Sequence, residues 1–81
     1  MELKLIDGEY APREALALIT SLVHVKIKAI ENQINMFADE SDIKSKESKI
    51  KQLQAELHEI RDEIMRSNSP VVLSGLIRIK R

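Results

Sequence analysis

Between Leu16 and Phe37 the chain carries more apolar surface than one neighbouring helix can cover. Leu16, Val23, Ile30 and Phe37 recur every seventh residue, with Thr20, Ile27 and Ile34 between them. That 3-4-3-4 stripe predicts a helix lying along a partner helix in coiled-coil fashion. Leu18, Leu22, Val25, Ala29 and Met36 form a second row, well round the cylinder from the first. A helix with two apolar faces needs two neighbours.

The first neighbour lies further along the chain. Ile43, Ile50, Leu57 and Ile64 are spaced by sevens, with Leu53 and Ile60 between them and interruptions at Lys46 and Ser67. Asp62 and Arg66 stand at i, i+4 in the favourable orientation on the flank of this second helix, which marks a solvated outer face. Pro12 suits a first helical position, where its missing N–H is no loss. The first helix is therefore expected over 12–38 and the second over 43–67. The intervening Asp39-Glu40-Ser41-Asp42 is rich in side chains that compete with helical bonding and reads as a turn over 39–42.

A single unbroken helix is the competing arrangement. The row Leu22, Ala29, Met36 does continue in sevens into Ile43 and Ile50. Its interleaved positions would then be Asn32, Asp39 and Lys46, three polar seam residues in succession, where even one is costly. The main stripe would run on into Ser41, Lys44, Ser48 and Lys51 and expire. A hairpin avoids both conflicts.

Short strands flank the helices. Glu2 to Ile6 alternates polar and apolar residues before Asp7-Gly8, which predicts a strand over 2–6 that ends in a tight turn, with Leu3 and Leu5 facing inward. Pro70 and the small polar residues before it close the second helix. Val71 to Lys80 is β-branched and apolar and reads as a strand over 71–80, with Gly75 marking a bulge or a close approach to the backbone. A hairpin brings these strands to the same end of the helix pair as an antiparallel ribbon. The expected fold is α+β and predominantly helical, one domain over 1–81. Its order is β-α-α-β, with a long antiparallel helical hairpin and a terminal two-stranded ribbon.

With 81 residues and no cysteine, the chain can build only a small core and has no disulfide or thiolate metal site to reinforce it. Association with a second copy supplies what is missing. The expectation is a homodimer that completes a four-helix bundle, with Leu18, Leu22, Val25, Ala29 and Met36 at its interface. Lysine plus arginine and aspartate plus glutamate balance at thirteen each, so no overall field draws the chain to nucleic acid or to a membrane surface. The acidic start without an apolar h-region and the broken apolar runs point to a cytoplasmic protein.

Chemistry-bearing patterns are sparse. Gly8 and Gly75 are the only glycines, which excludes phosphate-cradling loops of the Walker or dinucleotide kind. The serines have neither a nearby histidine nor an elbow-like turn. His58 with Glu59, Asp62 and Glu63 has carboxylates at helical spacing, but these residues flank the seam among solubilising charges. No catalytic residue, metal ligand or cofactor is expected.

Non-enzymatic interaction or assembly, with itself and with a protein partner the sequence does not identify, is the leading reading. The main alternative is a β-ribbon DNA-binding regulator using Lys4, Arg78, Lys80 and Arg81, since paired strands can enter a major groove. Basic residues at strand ends also serve to block unwanted pairing. A remoter alternative rests on His24. Beside the first helix's seam, it resembles in placement the phospho-accepting histidine in the dimerisation domain of sensor kinases, although Val25 follows it where that family usually has an acid.

Overall fold

A computed structural model of the chain describes residues 1–34 and 39–81, apart from the side chain of Ile34. Strand β1 (Glu2–Tyr10) leads into helix α1 (Pro12–Ile34), and helix α2 (Glu40–Arg66) leads into strand β2 (Val71–Arg78). The two strands pair antiparallel as a two-stranded sheet, so the fold is α+β and mostly helical. The expected helical stretch over 35–38, with Met36 and Phe37, lies outside the described residues.

Local chemistry sets the helix starts. The Ala15 N–H donates to the Ala11 carbonyl at 2.9 Å, which leaves Pro12 in the first helical position. At α2 the expected turn over 39–42 is corrected, because the helix is already under way at Glu40. The Asp39 carboxylate accepts from the Asp42 N–H at 2.8 Å, and the Ile43 N–H donates to the Asp39 carbonyl at 3.1 Å. Asp39 is thus an N-cap, and Glu40 and Asp42 place negative charge where the helix dipole favours it. The same residue types that compete with a helix interior start a helix when they stand at its first turn.

The helices run antiparallel. Ala11, Pro12 and Arg13 lie beside Met65, Ser67 and Asn68, while Lys26 and Ile30 lie beside Lys49, Gln52, Leu53 and Glu56. Between them Leu16, Thr20, Val23 and Ile27 are half-buried and Ile30 is buried, facing half-buried Ile50, Leu53 and Leu57 and buried Ile64; Ile43, near the start of α2, is also half-buried. This is the seam that the heptads define, except that Ile60, expected in it, is 37 % exposed. Ala15 is wholly enclosed, at the corner where the ribbon meets the helices and where a small side chain permits close approach. On the outer flank of α2, Asp62 meets His58 at 3.7 Å, and Arg66 reaches Glu63 at 3.7 Å rather than Asp62.

The ribbon departs from expectation at both ends of β1. The strand does not turn at Asp7-Gly8; it continues to Tyr10, with Asp7 opposite Ser74 and Gly8 opposite Leu73. Gly8 lies 3.8 Å, measured from where a Cβ would stand, from the Tyr10 ring, which covers the missing side chain. The register shifts between Lys4 and Ile6, so Leu5 is the extra residue of a bulge. One inserted residue reverses the alternation, and Leu3 thereby joins the face that carries Ile6, Gly8 and Tyr10. Leu3 and Leu5 are nevertheless exposed, contrary to their expected inward orientation, because the helices do not extend beneath that end of the ribbon. The approach to Gly75 comes from Ile6 of the neighbouring strand, not from a helix, and the bulge lies across from it.

Shape explains the thin burial. An α2 of 27 residues is about 40 Å long at 1.5 Å per residue. A nine-residue strand adds about 30 Å. The two cannot be collinear within extents of 45 × 32 × 13 Å, so the ribbon leaves the helix pair at a steep angle. The whole is a slab one layer thick, and the buried hydrophobic residues among those described are Ala15, Ile30 and Ile64.

If the Asp39 cap is what starts α2, Asp39→Ala should cost about 1 kcal/mol of stability and Asp39→Asn, which keeps an acceptor, much less. Urea unfolding followed by far-UV circular dichroism measures both. Equal stabilities for the two variants would remove the cap from the account.

Candidate interaction surfaces

The outer row of α1 is positioned by the seam itself. On an α-helix, residues two apart stand about 160° from one another, so once Val23 and Ile27 face α2, Val25 must face away. It is 69 % exposed and Leu22 is 39 % exposed. Ala29 is exposed and Leu18 half-buried; Met36, the last member of the row, lies outside the described residues. Val25 and Ala29 line a shallow open groove with His24, Lys28 and Asn32. The ribbon meets α1 only sparsely and leaves this row uncovered.

The four basic residues do gather at the free end of the ribbon. Lys4 lies opposite Leu76 and Glu2 opposite Arg78, with Lys80 and Arg81 just beyond the end of β2. The Arg78 guanidinium stands 3.4 Å from the Glu2 carboxylate. The strand face that carries Lys4 and Arg78 also carries Glu2, Asp7 and Glu9, by the alternation of paired positions. Two cations and three carboxylates share that face, and a groove of phosphates would meet all five.

The histidines are both exposed. None of the residues that line the groove with His24 is acidic, and His58 engages only Asp62. Among the described residues no group of three or more histidine, cysteine, aspartate or glutamate side chains could hold a metal ion. No helix is long and apolar enough to cross a membrane among them.

A second apolar surface escaped the heptad reading. Leu3, Leu5, Leu76, Ile77 and Ile79 are all exposed at the free end of the ribbon, and Val72 is 78 % exposed nearer its base. The available signal was the composition of β2, which has no charged residue before Arg78. No protein family, curated protein or solved structure matches the chain.

The charge mixture on the ribbon has a direct consequence for DNA. A short duplex at low salt, where phosphate contacts are strongest, should show no mobility shift with the protein at micromolar concentration. A shift that Arg78→Ala/Lys80→Ala abolishes would assign the ribbon to DNA instead.

Proposed function

We propose that the chain is a non-enzymatic assembly module that associates with itself through the outer row of α1, completing a four-helix bundle from two hairpins. The observation that carries this reading is surface area. A compact monomer of 9.3 kDa exposes about 5,000 Å², whereas this chain exposes 6784 Å². The surplus, about 1,800 Å², falls within the roughly 1,000–2,500 Å² that each partner contributes to an obligate homodimer.

The location of the row supports the same reading. Leu22 and Val25 lie side by side in the middle of α1, away from the seam, and the ribbon meets α1 only sparsely. Burying a fully exposed leucine or valine is worth roughly 1.5–3 kcal/mol; Val25, 69 % exposed, can gain most of that and Leu22, 39 % exposed, less than half, which is still appreciable beside a small domain's net stability of about 5 kcal/mol. A two-fold arrangement lets one patch serve both copies. Such a dimer presents two ribbons and is suited to holding other components at a fixed spacing.

Mass action tests the reading. A dimer that forms only between folded chains melts at a temperature that rises with concentration. The unmodified chain should show that rise over a hundredfold range, and Leu22→Glu/Val25→Glu should melt lower, with a smaller rise, while retaining its helix content when cold. A melting temperature independent of concentration in the unmodified chain would contradict the proposal.

A further inference from the structure

The two edges of the ribbon differ in a way that bears on assembly. The Ile79 N–H donates to the Met1 carbonyl at 2.8 Å, and the Ile79 carbonyl accepts from the Met1 amine at 3.4 Å. In an antiparallel ladder the backbone groups of successive residues point alternately toward and away from the neighbouring strand. The odd-numbered residues of β2 therefore point at β1. Val72, Ser74, Leu76 and Arg78 direct their N–H and C=O groups to the open side.

On β1 the residues opposite these four are Glu9, Asp7, Lys4 and Glu2, and they occupy the corresponding open positions of the other edge. Each is charged, and the bulge at Leu5 interrupts the line. Charged side chains and bulges are the usual means by which a strand edge resists further pairing. The β2 edge has neither of these from Val71 to Ile77, and no proline. Its seven residues before Arg78 are uncharged, and all but Ser74 are apolar or glycine.

We infer that the β2 edge pairs with the β2 edge of a second copy, antiparallel about a two-fold axis through Ser74, to make a four-stranded sheet. The register follows from the side chains. With Ser74 opposite Ser74, Leu73 of each copy lies opposite Gly75 of the other, on the face where the glycine leaves room for it. Val72 lies opposite Leu76, so the most exposed apolar residue of β2 gains an apolar neighbour on the other face. Moving the axis to Gly75 sets glycine against glycine and leaves a gap. It would also bring Val72 opposite Arg78.

This contact goes beyond the α1 row and does not depend on it. Either two-fold axis can operate alone, and a chain with both on separate axes assembles beyond a dimer. The shared sheet also gives a two-stranded ribbon, marginal on its own, the additional strands it needs.

Because the chain has no cysteine, Ser74→Cys introduces the only thiol. Directly opposed residues in a hydrogen-bonded antiparallel pair have Cα atoms about 5.5 Å apart, within the range a disulfide spans. Mild oxidation at micromolar concentration should convert Ser74→Cys to a covalent dimer at least tenfold faster than Glu59→Cys, an exposed site on α2. Adding Val72→Lys to Ser74→Cys should remove that advantage, and adding Leu22→Glu/Val25→Glu should leave it in place. Equal rates for Ser74→Cys and Glu59→Cys would overturn the β2 contact. An advantage lost only with the α1 changes would also overturn its independence. Val72→Lys without any cysteine provides a second readout, since it should lower the solution mass at a concentration where the Leu22→Glu/Val25→Glu chain still associates.

Discussion

One helix–helix seam holds this molecule together. Ile30 and Ile64 are buried in it, and Leu16, Val23, Ile27, Ile50, Leu53 and Leu57 are half-covered by it. Everything else is attached to the seam rather than packed over it. The ribbon joins at the corner occupied by Ala15 and then leaves at a steep angle, so no second layer closes over the first. A protein built this way satisfies one face of each element and leaves the opposite face open.

That constraint explains why the exposed apolar residues are ordered rather than scattered. Single exposed leucines and valines are normal on any surface. Here Leu22 and Val25 follow from the seam's own periodicity, and Leu3, Ile77 and Ile79 follow from the alternation of the ribbon beyond the reach of the helices. Two surfaces of different geometry result, one on a helix and one at a sheet edge. Both suit a second copy, because a two-fold axis lets a patch complement itself.

The seam was legible because it repeats. Ile43, Ile50, Leu57 and Ile64 carry the same signal at every seventh position, and the failure of the α1 stripe beyond residue 40 indicated that the chain turns back. What was misread depended on single residues in local context. Asp39 has turn chemistry, yet its carboxylate accepts from the Asp42 N–H and caps α2. Asp7-Gly8 has turn chemistry, but Ser74 and Leu73 across the ribbon keep it in a strand, which is a tertiary effect that no local window contains. Leu3 and Leu5 were expected inward because strict alternation allows no extra residue. The bulge at Leu5 sets the phase, and its position is defined by the opposite strand.

The candidate surfaces divide in the same way. The α1 row was visible as a second heptad pattern, whereas the open edge of β2 needed the hydrogen-bond phase between Met1 and Ile79 before its outward residues could be named. The central claim is that a chain with this much open surface does not stand alone in solution. Sedimentation velocity of the unmodified protein at micromolar concentration tests it most directly. The account predicts a species of at least twice the 9.3 kDa chain mass; a folded, helical species at the mass of one chain would contradict it.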